Sequence, residues 1–136
     1  MKNSIFALLV FATVVSCSTI ANTAGKLGKT QPSIVNTKWV VADAVKGKTP
    51  TLSIENGRVT GNAGCNNYFG ELFLDTTAGN FTASKIGTTK MMCDQISVEE
   101  NFLKVLSETN KYLVNGDTLE LYKDKLLLLK LVKQGL

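Results

Sequence analysis

Histidine does not occur in this 136-residue chain. Its absence removes Ser-His-Asp and Cys-His catalysis, histidine-bound zinc and the imidazole pH switch. No apolar run reaches the roughly 18 residues of a membrane-spanning helix; the candidate, Ile5 to Val15, has eleven. Concentrated charge of one sign is missing too. Lysines 26, 29, 38, 46, 48, 85 and 90 are scattered and do not alternate with aromatics, so no nucleic-acid footprint forms. The acids nearest the glycine-rich and cysteine segments, Asp43, Glu71, Asp75 and Asp94, show no spacing that pairs them for hydrolysis. Cys65 and Cys93 are too far apart for the Cys-x-x-Cys of oxidoreductases.

What is present begins at the N-terminus. Lys2, the apolar run and the small Ser16 make a secretory signal rather than a span. Cys17 follows Val14-Val15-Ser16, an order that resembles the bacterial lipobox. That resemblance implies cleavage before Cys17, diacylglycerol and palmitate-type acylation on it, and a mature protein tethered by lipid. Several acyl chains make such an anchor stable, at about 0.8 kcal/mol per buried methylene. An ordinary signal peptide cut near Ala21, leaving a soluble periplasmic protein, is the alternative. Residues 17–33, the acylated cysteine with the small and polar stretch up to Pro32, read as a linker between lipid and fold.

Removal of residues 1–16 leaves 120 residues, one ordinary domain, here expected over 34–133. The net charge of +4 falls to +3 once Lys2 leaves. Hydrophobic content of 44% and charged content of 19% describe a globular chain. With Cys17 acylated, Cys65 and Cys93 remain, and in an exported protein an even pair reads as one disulfide. Two separately buried thiols are the alternative.

The signals after Ile34 are mostly β. Thr37 to Ala44 is β-branched and aromatic, with Trp39 as a core anchor. Pro50 to Glu55 alternates, and Asn56-Gly57 then turns the chain into Arg58-Val59-Thr60. Tyr68 to Leu74, Phe81 to Ile86, Tyr112 to Val114, Thr118 to Tyr122 and Leu126 to Val132 are further strands. Leu126 to Leu129 has no alternation, which predicts a strand buried on both faces. One segment has helical period: Val98, Phe102, Val105 and Leu106 share a face, and Ser97 with Glu100 reads as a capping box, predicting a helix over 97–109.

Two motifs stand out. Gly61 to Gly70 is dense in glycine and asparagine, but neither nucleotide fingerprint fits. Residues tolerant of tight bends and close backbone approach, presenting Cys65 at a set angle, are the better reading. In Thr88 to Cys93, adjacent Met91 and Met92 beside a thiolate suggest a soft-metal site. Methionine as adaptable core filler is preferred, and no metal or cofactor is expected.

Together these residues resemble the META/HslJ family: G-x-x-G-C-N-x-Y-x-G at Gly61 to Gly70, T-x-M-x-C at Thr89, Met91 and Cys93, a short helix with Phe102-Leu103 and Leu106, a leucine-rich hairpin, and the upstream Trp39. The resemblance covers about residues 35 to 132. It implies a mainly β fold, a small antiparallel barrel-like sheet with one packed helix, exported to the bacterial envelope and loosely tied to stress responses. It assigns no catalysis. The signature positions Gly64, Cys65, Asn66, Tyr68, Gly70, Thr89, Met91 and Cys93 carry over as architectural, and both cysteines being present supports their pairing. The expectation is therefore a non-catalytic envelope lipoprotein, on the outer membrane facing the periplasm, whose domain binds an unidentified envelope protein or cell-wall component. The alternative is a lipocalin-like carrier of a small apolar ligand, with Trp39, Phe69, Phe73 and Phe81 lining an interior.

Overall fold

The computed structural model describes residues 25–135. The secretory signal, Cys17 and the first part of the linker lie outside them. Eight antiparallel strands follow one another around a closed barrel, with one helix inserted: β1 (Thr37–Val41), β2 (Thr51–Glu55), β3 (Arg58–Asn62), β4 (Asn67–Asp75), β5 (Asn80–Thr88), α1 (Ile96–Glu108), β6 (Lys111–Asn115), β7 (Thr118–Lys123) and β8 (Leu126–Lys133). The expected class, mainly β with one helix, is the observed one. Among the described residues no helix is long and apolar enough to cross a membrane.

Short turns from β2 to β5 and from β6 to β8 set most of this order, because each joins neighbouring antiparallel strands. Asn56-Gly57 joins β2 to β3 with Glu55 opposite Arg58, and Gly57 takes φ +72°. Closure brings Trp39 opposite Lys133 and Val41 opposite Leu131. Period-two alternation then sends one face of every strand inward. Trp39, Leu52, Ile54, Val59, Tyr68, Leu72, Phe81, Tyr112, Leu119, Leu121 and Leu131 fill the interior. An eight-stranded barrel is just wide enough for its own side chains, and each large one buried contributes about 1.5–3 kcal/mol.

One seam is weak. β5 and β6 share a single registered pair, Asn80 with Lys111, flanked by hydrogen bonds from Phe81 N to Asn110 O (3.1 Å) and Tyr112 N to Gly79 O (2.9 Å). At one end Gln31 fills the gap. Its backbone N–H donates to Thr76 O (2.7 Å), its Nε2 donates to Lys26 O (2.9 Å), and its Oε1 accepts from Val114 N (3.1 Å). The ordered body therefore starts before residue 34, inside the stretch expected to be linker. A glutamine side chain does the work of a missing strand. At the other end Phe102 and Leu106 of α1 join the core, with Val98 seated against Gly64.

Three expectations need correction. The helix is Ile96–Glu108 with Gln95 at its N-cap and no side-chain cap, so Ser97 and Glu100 form no capping box. Glu99, one position earlier, is buried and bonds across to another element. The leucine run of β8 is not buried on both faces: Leu126 and Leu127 are exposed, because a barrel strand has one interior face. Phe69 and Phe73 point outward, at 52% and 64% exposure. They share the outer face of β4 with Glu71, while Tyr68, Gly70 and Leu72 face in. The aromatic lining expected for a carrier is thereby reduced to Trp39 and Phe81.

Candidate functional site

Two loops meet where α1 begins: the β3–β4 corner (63–66) and the β5–α1 connection (89–95). Cys65 and Cys93 join them by a disulfide with Cα atoms 6.0 Å apart. In the chain-entropy model a bridge over 28 residues contributes about 3–4 kcal/mol.

Asn66 is the hub beside that bridge. Its backbone N–H donates to Glu99 Oε2 (2.7 Å), and its Nδ2 donates to Glu99 Oε1 (3.2 Å) and to Met91 O (3.2 Å). Its Oδ1 accepts from Met91 N (2.7 Å) and Thr89 Oγ1 (2.8 Å). Every polar group of one buried side chain is thus matched, as a low-dielectric site demands. Asn67 extends the seam: its N–H donates to Thr89 Oγ1 (3.2 Å) and its carbonyl accepts from Thr89 N (3.0 Å). Asn62 closes the corner from below, Oδ1 accepting from Gly64 N (3.0 Å) and Nδ2 donating to Cys65 O (3.3 Å).

The remaining signature residues support this corner. Tyr68 donates its hydroxyl to Thr51 O (2.8 Å) and tilts against Phe102, centroids 5.5 Å apart. Burial pushes its phenol far above the usual tyrosine range. Gly61 lets β3 pass Thr51 and Tyr68, where a Cβ would collide with the Thr51 carbonyl. Gly64 takes φ +111°, and a Cβ there would sit 2.9 Å from Val98 Cγ1. Gly70 packs beside Ser84 O and Val59.

This machinery presents rather than encloses. Met91 is held by both its N–H and its C=O yet is half exposed, and Met92 is 99% exposed. The reading of these methionines as core filler is therefore overturned: the corner's polar groups bind the backbone and turn the thioethers out. Phe69 lies near the same end, its ring across Gly87 of β5. A groove of about 220 Å³ runs between α1 and the β1–β2 loop, lined by Val41, Val45, Pro50, Phe102, Val105 and Leu129.

Of the four acids noted in the sequence, Asp94 alone lies on these two loops, and Asp43 lines the groove. Glu71 pairs with Lys85 on the outer face (2.9 Å), while Asp75 caps the β4–β5 turn through Thr77, whose hydroxyl and backbone hold its carboxyl below the usual range. Among the described residues no three acids or cysteines gather as a cation cage. Glu99 and Gln31 escape the sequence reading, and Asn62 and Asn67 enter it only as residues tolerant of tight bends. Glu99 looks like any helix-face glutamate until the fold brings Asn66, 33 positions away, against it.

Comparison with known proteins bears on the family alone. No curated protein matches the chain. A protein from Burkholderia xenovorans solved by NMR is similar, at 22% identity and TM-score 0.63, covering 75% of this chain and 84% of that one. A second NMR structure is similar at 20% identity and TM-score 0.56, covering 81% and 93%. At those identities the likeness is one of fold. The META domain profile matches residues 32–134, which spans all eight strands, the helix and both signature loops, so the chain belongs to the META domain family.

Proposed function

We propose that the protein is a non-catalytic binding module of the bacterial cell envelope, displaying the loop 89–94 to an apolar site on a partner protein. One observation carries the reading: a disulfide and a fully matched asparagine fix the backbone beneath Met91 and Met92, and both side chains face solvent. Thioethers are soft and conformationally adaptable, which suits them to apolar docking surfaces. A loop already rigid loses little entropy on binding. Spread acids and the lack of histidine favour binding over catalysis. Cys17, after its apolar leader, supports acylation there and tethering to a membrane, with the outer membrane's periplasmic face as the proposed location and envelope stress as the setting.

A Met91→Ser/Met92→Ser chain tests this. Cross-linked in its native envelope, the anchored wild-type protein yields a specific adduct that the double variant loses, with the melting temperature unchanged. Equal adducts from both chains contradict the reading.

A further inference from the structure

The disulfide is lopsided. Cys65 is 6% exposed and lies within the matched corner, whereas Cys93 sits on the exposed loop. The hydrogen bonds that tie this loop to the corner end at Met91. From Met92 to the turn at Asp94–Gln95, the covalent bridge is the tie. Cys65 Sγ meanwhile has polar neighbours on two sides: Asn66 Nδ2 as donor at 3.6 Å and Met91 O at 3.6 Å.

We propose that Cys93 is a site of S-thiolation by a low-molecular-weight thiol. The thiol's thiolate attacks Cys93 Sγ, the S–S bond to Cys65 breaks, and its electron pair leaves on Cys65 Sγ. A new disulfide joins the small thiol to Cys93. The Cys65 thiolate forms beside the Asn66 amide, takes a proton from water, and then has the Met91 carbonyl as acceptor. One disulfide is exchanged for another, so no separate oxidant or reductant is required.

Exposure sets which sulfur is attacked, because exchange rates depend on access to the sulfur as well as on thiol pKa. Glu99 bonds the same Asn66 amide, so that amide stays anchored beside Cys65 as the bridge opens. The barrel keeps its shape. Thr89 and Met91 stay held by Asn66 and Asn67, and the freed stretch is Met92 to Asp94. The site therefore regulates the presentation of Met92 whatever that residue docks against.

The test uses the folded chain with glutathione at neutral pH, acid quenching and peptide mapping. The adduct on Cys93 exceeds that on Cys65 at least tenfold, while the far-ultraviolet spectrum stays unchanged and faster amide exchange is confined to residues 92–94. Adduct mainly on Cys65, exchange that needs denaturant, or loss of the barrel spectrum each overturn the proposal. A variant pair gives an independent reading. In Cys65→Ser the Cys93 thiol is alkylated by iodoacetamide at least tenfold faster than the Cys65 thiol in Cys93→Ser. Equal rates, or loss of cooperative melting in both variants, contradict it.

Discussion

Asn66 and Glu99, 33 residues apart, meet through two hydrogen bonds, one from the backbone N–H at 2.7 Å and one from the side-chain amide at 3.2 Å. The pair couples the β3–β4 corner to the first turn of α1. Among the described residues no cation pairs with Glu99, so its buried carboxyl group depends on this asparagine for its donors. Asn66→Ala should lose about 2–4 kcal/mol, because it strips donors from Glu99 and Met91 O and an acceptor from Met91 N. Urea unfolding measures it; a loss under about 0.5 kcal/mol would contradict the hub.

Gly61 is needed for lack of a side chain. Gly61→Ala drives a Cβ into the Thr51 carbonyl and is expected to cost about 2 kcal/mol or more. Gly25→Ala meets no neighbouring atom and should change stability by less than about 0.5 kcal/mol. Denaturation midpoints of the two variants give the comparison.

Much of the fold is legible in the sequence because turns and alternation are local. Asn56-Gly57 and the alternating Leu52 and Ile54 define β2 and its hairpin without reference to the rest. The same alternation in Tyr68 to Leu74 puts Phe69 and Phe73 on one face with Glu71, which marks that face as outer; aromatic content alone points the wrong way. In β8 a register shift near Leu121 and Tyr122 lets Leu127 and Leu129 pair with consecutive residues of β7, so a run of leucines cannot all turn inward. Asn66–Glu99 and Gln31–Val114 are long-range side-chain contacts with no local signature. The pairing of Cys65 with Cys93 was reachable by counting, and the outward methionines were not.

Gln31 stands in for a strand at the β5–β6 seam. Gln31→Ala leaves Val114 N without its acceptor and should destabilise the barrel by about 1–3 kcal/mol. A chain starting at residue 32 should show the same loss, and one starting at residue 30 much less. Thermal melts of the three place the start of the folded body.

Burial holds the phenols of Tyr68, Tyr112 and Tyr122 protonated above the usual tyrosine range, with Glu120 adding to the effect at Tyr122 and Asp75 at Tyr112. A raised acid keeps its full stabilising effect below the unfolded value near 10 and loses it as pH climbs further, because the unfolded chain releases protons that the fold retains. Stability should fall above about pH 10, with Tyr68, the most deeply buried of the three, contributing up to roughly 1.4 kcal/mol per pH unit. Tyr68→Phe should flatten that slope, as read from urea unfolding between pH 9 and 11.

A double-mutant cycle on Asn66→Ala and Glu99→Ala tests most directly whether the signature corner acts as one unit under the displayed loop. A coupling energy of at least about 1 kcal/mol is predicted from the side-chain bond the pair shares, Asn66 Nδ2 to Glu99 Oε1. Two losses that simply add, to within about 0.3 kcal/mol, would contradict the account.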